Sequence, residues 1–600
     1  MEPTDLSTPR HFHKVVDCQW ACPAHTPVPH YIRLIAERRY AEAYMANWEA
    51  NVFPGILGRT CDRPCEPACR RGRIEKEPVA ICRLKRVAAD YKSDIRPFLP
   101  KRATKPNGKR IALVGAGPAS LTVARDLAPL GYRCVIFDQD PKAGGMMRTR
   151  IPRFRVPEEV IDEEVGYIVD LSVDVRGDTR INSLKALLAE GWDAVFIGAG
   201  APRGQDLDIP GRREGATNIH IGVEWLANIW FQHIHRVGKR VVVIGGGNTA
   251  MDCARSARRL GGEDVKVIVR ESYEDMTAAT WEKDALLREG LTISNSLAPK
   301  AFTFENARLT GVVFEPVAAS RENGSWVVTP TGAPLQHLPC DDVLLAIGQE
   351  PAFPWIERDI GVGFGERDMP KVDPETFRST HPKVFVGGDA AFGGKNIITA
   401  VAHGHAAAIS IDLFLSGADL ADRPAPMVTL VTQKMPKLPR HIPKVSVKER
   451  HAVPLRPRSE ALADIHAEVE LGFNVEHAIA EAGRCLNCDY ETVFTASTCV
   501  ECKACETVCP TDCITFTKNG EEADLRKRLQ APAENVEQDL YVSSSLLTGR
   551  VMVKNEDICL HCGLCAENCP TDAWQMQTFL LKMAQAAACR AKAQGAAIHA

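Results

Sequence analysis

The residues of this chain best suited to chemistry are its 21 cysteines. Cys499, Cys502, Cys505 and Cys509, followed by Pro510, are spaced C-x2-C-x2-C-x3-C-P, and Cys559, Cys562, Cys565 and Cys569 with Pro570 repeat that spacing. Another six, Cys18, Cys22, Cys61, Cys65, Cys69 and Cys82, lie near the N-terminus, and Cys485 and Cys488 form an isolated pair in EAGRCLNCD. The opening residues MEPTDLSTPRHFHKVVDC hold no apolar leader segment, so the expected compartment is the cytoplasm. Thiols stay reduced there, which points most of these cysteines to metal binding rather than to disulfides. Cys134, Cys253, Cys340, Cys513 and Cys589 have no partner at ligand spacing and are expected to be small core or surface residues.

The duplicated run resembles the bacterial two-cluster ferredoxin, in which each [4Fe–4S] cube takes three thiolates from one run and its fourth from the other. The resemblance assigns Cys499, Cys502, Cys505 and Cys569 to one cube, and Cys559, Cys562, Cys565 and Cys509 to a second. Paired zinc ribbons are the alternative, although a tetrahedral zinc site needs only four cysteines and no trailing proline. The other two sets together supply eight ligands, enough for two more cubes if the RCLNC segment folds back onto the N-terminus. The stretch from CQWACP to AICRLKR resembles the iron–sulfur head of the glutamate synthase small subunit and its relatives. Those proteins carry a C-x2-C pair just ahead of the cysteines matching Cys18 and Cys22. Here that pair is missing upstream and recurs at Cys485 and Cys488, as in a rearranged branch of the family. By this resemblance Cys485, Cys488, Cys18 and Cys69 hold one cube, and Cys22, Cys61 and Cys65 belong to another. The fourth ligand of the latter differs among relatives. Cys82 is the candidate, and the alternative is a buried thiol on the helix VAICRLKRVAADY.

Two further segments suit nucleotides. KRIALVGAGPASLTVARDLAPLGYRCVIFDQD reads as strand, glycine turn, helix and strand. Gly115 and Gly117 let the backbone approach a pyrophosphate at the helix N-terminus, Ser120 takes the third fingerprint position, and Asp138 can accept from a ribose hydroxyl. GKRVVVIGGGNTAMDCARSARRLGGEDVKVIVRES repeats the unit, with Gly245, Gly247 and Ala250 in the fingerprint positions. The family resemblance implies that the first unit binds FAD, together with Gly144, Gly145 and Met146. It also implies that VFVGGDAAFGGKNIITAVAHGHAAAISI closes that site. There Gly388 and Asp389 would hold the ribityl–phosphate end, and a helix beginning near Ile398 would turn its positive end to the isoalloxazine. The second unit then binds the nicotinamide nucleotide, with Asn248 and Thr249 in its turn. NADP-using relatives show two arginines where this chain has Arg270 and Glu271. A carboxylate at Glu271 suits the free 2′-hydroxyl of NAD, so NAD is expected over NADP; the alternative leaves Glu271 in solvent and Arg270 on the phosphate. No cysteine stands three positions from Cys253, which argues against a redox dithiol. Arg255, Arg258 and Arg259 read as a solvated helix face, and His403 and His405 as packing or surface residues.

The elements that must position these groups follow from the motif order. The expected fold is α/β, with two nested dinucleotide-binding (Rossmann-like) domains between an α-helical iron–sulfur domain and a bacterial-type two-cluster ferredoxin domain. The expected boundaries are 1–105 for the helical iron–sulfur domain, 106–236 and 346–416 for the two halves of the FAD domain, and 237–345 for the inserted nicotinamide domain. A proline-rich, basic linker follows at 417–458, then a helical return segment at 459–492, the ferredoxin domain at 493–580 and a terminal helix at 581–600. The connection from Ile514 to Ile558 is long and polar and reads as an insertion between the cysteine runs. Hydrophobic content of 45% and charged content of 25% are those of a globular protein, and a net charge of −3 argues against nucleic-acid binding. No apolar run approaches the roughly 20 residues of a membrane helix, so no membrane span is expected.

Together the resemblances imply an FAD-containing iron–sulfur NAD(P)H:acceptor oxidoreductase with four [4Fe–4S] clusters. A nicotinamide exchanges hydride and a cube single electrons, and flavin is the cofactor able to deal in both. No general acid or base is needed for that exchange, and no catalytic side chain is assigned. Glutamate synthesis itself is not expected of a chain with no amidotransferase domain. The rearranged architecture looks like the electron-transfer subunit of a 2-oxoacid:acceptor oxidoreductase, acting on phenylglyoxylate or 2-oxoglutarate for example. Its partners would be the catalytic subunits of such a complex or a soluble ferredoxin. A glutamate synthase small subunit or a stand-alone NAD(P)H:ferredoxin oxidoreductase is the near alternative, and a zinc-binding structural or assembly scaffold the distant one.

Overall fold

Short aliphatic runs such as Ile111–Val114 and Val241–Ile244 are buried on both faces, as parallel strands covered by helices must be. The computed structural model that contains them describes every residue except 10, 12–15, 102, 215–216, 307, 323–324, 433–447, 532–535, 537 and 587–600. The chain forms two units. One comprises Met1–Leu99, Ala421–Val453 and Gly472–Ala600, the other Pro100–Leu420 and Pro454–Leu471.

The second unit holds two parallel sheets. The first runs Val384–Val386, Ala194–Ile197, Arg110–Val114, Arg133–Phe137, Asp174–Arg176. Its edge strand, Val384–Val386, arrives after the whole second lobe, so the two halves of this lobe share one sheet. The second sheet runs Ile219–Ile221, Asp342–Leu345, Arg240–Ile244, Asp264–Ile268, Thr292–Ser294. Strand Ile219–Ile221 pairs inside this second sheet, so the inserted lobe begins earlier in the chain than the sequence suggests. The crossing connections run side by side, Arg203–Gly204 antiparallel to Gln349–Glu350. An antiparallel sheet built on Leu297–Glu305 and Arg308–Glu322 packs Phe302, Val312 and Phe314 into the same core as Ile219 and Val242.

Helix Ile397–Ser416 has the length and mean hydropathy, 1.4, of a membrane span. Eleven of its residues, from Ile398 to Leu413, are buried within the unit, so the apolar character serves packing. The arginines of helix Asn248–Arg259 also differ from expectation. Arg255 and Arg259 are buried rather than solvated, paired to Glu289 at 2.8 and 2.6 Å and stacked on Phe154. Arg258 donates to the Gly262 carbonyl.

In the first unit, helices Val28–Ala36, Tyr40–Asn51, Pro54–Thr60 and Ile81–Asp90 form the N-terminal head. Gly58 lets two of them approach closely, since a Cβ there would lie 2.7 Å from the Arg86 Cα. The ferredoxin region has two antiparallel sheets. One orders Met427–Thr432, Trp574–Lys582, Tyr490–Phe494, and the other Ile514–Lys518, Arg550–Lys554, Tyr541–Val542. The insertion between the cysteine runs is therefore folded into a sheet. Part of the expected linker, Met427–Thr432, is a strand, and so are Leu581 and Lys582 at the start of the expected terminal helix. The return segment is helical only at Arg458–Ala463, which ends where Asp464 turns extended with φ −135, and at Val475–Ala482. Residues 587–600, including Cys589, lie outside the described residues.

Candidate functional site

Within the first unit the thiols converge. Cys18, Cys69, Cys485 and Cys488 line one chamber. Cys499, Cys502, Cys505 and Cys569 line another. Cys509, Cys559, Cys562 and Cys565 line a third, and Cys513 lines it with them. The Cys513 Sγ lies 3.4 Å from that of Cys509, so the expectation of an unpartnered thiol is corrected. Cys82 is fully buried and exchanges hydrogen bonds with Cys61 and Cys65; these three and Cys22 surround the buried Lys85. Cys134, Cys253 and Cys340 are buried away from these sites, in the second unit.

These donor sets fit iron–sulfur cubes. Burial pushes the Cys69 thiol up to about 11 and the Cys18 and Cys485 thiols well up, which favours their neutral form until a cationic group compensates the thiolate charge. Each of the three chambers gathers cysteines from separate stretches of chain, with four at ligand spacing, the number one cube takes.

The fold-back that brings Cys485 to Cys18 is held by residues that no motif announces. Arg484 is fully buried and donates to the carbonyls of Pro78, Glu77 and Lys448 at 2.9, 2.8 and 2.9 Å. Arg33 grips Asp489 through two bonds, one of 2.6 Å, and stacks on Tyr490. A second buried group joins the Cys18 chamber to the Cys559 chamber. His561 donates from Nδ1 to the Cys488 carbonyl at 3.1 Å, while its Nε2 lies 3.1 Å from Glu491. Arg70, next to Cys69, donates to the Cys559 carbonyl at 2.8 Å and pairs with Asp17 at 2.6 Å. Lys554 bridges Glu491 and Glu556, the latter at 2.7 Å, with no solvent access to any of the three. Burial opposes the charge of His561, but Glu491 and the Cys559 sulfur hold its pKa well above the usual imidazole range. Burial and the neighbouring Glu556 push Glu491 up to about 7.

In the second unit each glycine turn stands between a strand and a helix whose first N–H groups have no side-chain cap, Pro118–Leu127 after Gly117 and Asn248–Arg259 after Gly247. Uncapped helix starts of this kind suit a pyrophosphate. Gly115 has φ +93, and a Cβ on it would lie 2.7 Å from the Gly198 carbonyl; at Gly245 the φ is +140 and the distance to the Ala346 carbonyl 2.1 Å. No other residue fits either turn. Gly145 presses on Gly117 and caps the short helix that starts at Met146. Ser120 is fully buried against Gly198, and Asp138 accepts from the backbone N–H groups of Ala116 and Asp140, bracing the first turn. Gly388 packs on Ala119, Asp389 accepts from Lys395 N–H at 3.0 Å, and Ile398 is buried in the first turn of its helix, whose N-cap is Asn396. The late segment thus meets the early turn.

In the inserted lobe Asn248 accepts from Ala279 N–H at 2.9 Å, Thr249 accepts from Gln349 at 3.3 Å, and Ala250 is buried. The Glu271 carboxylate faces the glycine turn, 3.5 Å from the place of a Cβ on Gly246, and pairs with the half-exposed Arg270 at 2.8 Å. Asp252 binds Arg155 of the flavin lobe at 2.7 Å. His403 packs between Phe377 and Phe392, and His405 pairs with Asp126 at 2.6 Å.

Two dinucleotide lobes with convergent thiols define an iron–sulfur flavoprotein oxidoreductase. Comparison with known proteins agrees. Residues 109–404 match the pyridine nucleotide-disulphide oxidoreductase family, residues 13–96 the 4Fe-4S domain II of dihydropyrimidine dehydrogenase, and residues 498–573 the 4Fe-4S dicluster domain. The chain is 34% identical over 502 residues to the beta subunit of the NADP(+)-dependent formate dehydrogenase of Moorella thermoacetica, covering 78% of this chain and 70% of that one. It is 30% identical over 521 residues to the beta subunit of the NADPH-Fe(3+) oxidoreductase of Geobacter sulfurreducens, covering 81% and 77%. It is also 30% identical over 426 residues to the small chain of Escherichia coli glutamate synthase, covering 66% and 87%. The chain belongs to this family of glutamate synthase small-chain-like oxidoreductases. It is an enzyme that uses FAD, a nicotinamide nucleotide and [4Fe–4S] clusters to transfer electrons, and the scaffold reading is set aside.

Proposed function

We propose that this chain carries four cubes in series and serves as the electron-transfer subunit of a larger oxidoreductase. The observation behind this reading is the joint between chambers: Cys488 and Cys559, each in a different thiol set, are linked through His561 and Arg70. The cube ligands are then Cys22, Cys61, Cys65 and Cys82; Cys18, Cys69, Cys485 and Cys488; Cys509, Cys559, Cys562 and Cys565; and Cys499, Cys502, Cys505 and Cys569. Tyr31, fully buried near Cys65, Cys82 and Cys18, lies where the two N-terminal sets adjoin. Cys502 is exposed, which makes its set the end suited to a partner.

Bound FAD supplies hydride exchange with a nicotinamide and single-electron exchange with a cube. The residues of the chain do the rest. The turns at Gly115 and Gly245 seat the two dinucleotides, and Asp138 and Gly388 fix the flavin side. The buried cations Arg70, Lys85, Lys554 and His561 lie beside the thiolates and favour their charged, iron-bound form. Glu271, turned to the second glycine turn, favours the ribose hydroxyl of NAD.

The partner in this reading is the catalytic subunit of a 2-oxoacid:acceptor oxidoreductase. The relatives named above belong to a formate dehydrogenase, an Fe(3+) reductase and a glutamate synthase, which supports a subunit role. Purification of the complex under anoxic conditions, with mass spectrometry of the attached subunits and iron and flavin assays, tests both parts. The expected result is about 16 iron atoms per FAD and a thiamine-diphosphate subunit. Iron sufficient for only two cubes would overturn the series, and a formate- or iron-converting partner would overturn the choice of complex.

A further inference from the structure

We propose that Cys513 is a reserve ligand of the cube held by Cys509, Cys559, Cys562 and Cys565, able to take the iron that Cys509 holds. The inference rests on the cube assignment above. The two ferredoxin runs supply an internal control, because CPTDCI of the first matches CPTDAW of the second. Their backbones turn alike. Asp512 and Asp572 both have φ +52, Cys513 N–H donates to the Cys509 Sγ at 3.4 Å, and Ala573 N–H donates to the Cys569 Sγ at 3.2 Å. Thr511 and Thr571 hydroxyls stand 3.7 and 3.8 Å from the same two sulfurs. Position 513 is therefore equivalent to position 573, and each lines the chamber whose other three thiols come from the opposite run.

Ala573 fills its place at 1% exposure, so packing alone does not call for sulfur there. Cys513 is equally buried, and its Sγ stands 3.4 Å from that of Cys509. Two sulfurs that close, on the wall of one cavity, address the same corner of the cube. In the exchange the iron bond to the Cys509 sulfur breaks and that sulfur takes up a proton. An iron bond to the Cys513 sulfur forms as its thiol releases one. No electrons move, and the charge of the cube is unchanged. The cube held by Cys499, Cys502, Cys505 and Cys569 has no such deputy, because Ala573 stands at the matching place.

Iron content and EPR of the full chain, purified anoxically, test this. Cys509→Ala is expected to keep the iron of wild type and its full set of reduced-cube signals, with altered line shape for one of them. Cys509→Ala/Cys513→Ala is expected to lose at least one iron per chain, and Cys569→Ala likewise. Equal iron loss in Cys509→Ala and in the double variant would overturn the proposal, as would full retention in the double variant. If Cys509→Ala does not fold, judged by circular dichroism and flavin content, the same comparison is made with Cys509→Ser and Cys509→Ser/Cys513→Ala. Wild-type protein without iron for the C-terminal cubes would instead overturn the cube assignment itself.

Discussion

In the flavin and nicotinamide lobes, strand, glycine turn and helix follow one another directly, as in Arg110–Val114 and Pro118–Leu127 or Arg240–Ile244 and Asn248–Arg259. The Cys18 chamber, by contrast, needs Cys69 from the N-terminal head and Cys485 and Cys488 from the far end of the chain. A site built from neighbours is present as soon as its own strand and helix pack. A site built from distant segments also acts as a clasp, since its metal closes a loop that the unfolded chain would otherwise leave open. The two units should therefore answer very differently to the loss of their cofactors.

The largest effect is expected from iron. Chelation, or the variant Cys485→Ala, should free the N-terminal head from the return segment and raise protease cleavage within residues 1–99 by well over tenfold. The scale is that of structural metal sites, on the order of 10 kcal/mol. The second unit should keep its flavin. Limited proteolysis read by mass spectrometry, with iron and flavin assays, checks this; unchanged iron in folded Cys485→Ala protein would remove the clasp from the account. Next in size is Lys554→Met. It strands Glu491 and Glu556 without their shared cation and should cost about 3–5 kcal/mol in the unfolding of the first unit, measured by denaturant titration. A variant that also replaces both carboxylates by apolar residues should recover most of the loss.

Within the second unit the expected effects are local. Gly245→Ala places a Cβ against the Ala346 carbonyl and should weaken NADH binding by at least about tenfold, roughly 1.4 kcal/mol, while FAD content stays at the wild-type level. Titration of NADH by flavin fluorescence reads the first number and the visible spectrum the second. If FAD is lost as well, the lobes are less independent than their separate turns imply. The smallest change is expected from Glu271→Arg. It restores a double arginine and should move the NADPH/NADH ratio of kcat/KM by ten- to hundredfold, about 1.5–3 kcal/mol. A wild-type preference for NADPH in the same stopped-flow assay contradicts the reading of Glu271.

The same contrast explains what could be read from the chain alone. Gly115, Gly117 and Gly245 were legible because residues close in sequence do the work there. The cysteines were legible because iron demands fixed spacings. Arg484, the Arg33–Asp489 pair and His561 carry no such mark: each acts across segments that only the fold brings together. Arg255 and Arg259 looked solvated on their own helix, and their partner Glu289 comes from beyond the next helix. Strand Ile219–Ile221 is too short to declare which sheet it joins. Cys513 did have a signal, the difference from Ala573 between the two runs, but that signal has meaning only once both are known to face a cube.

The account stands most directly on anaerobic stopped-flow mixing of the iron-replete, flavin-loaded chain with NADH, followed by rapid-freeze EPR. It predicts that flavin bleaching comes first, that the broad iron–sulfur absorbance then falls, and that reduced-cube signals from both the N-terminal and the ferredoxin sites appear. Flavin that bleaches fully while the iron–sulfur absorbance and EPR spectrum stay unchanged would contradict a single chain of electron transfer from nicotinamide to cubes.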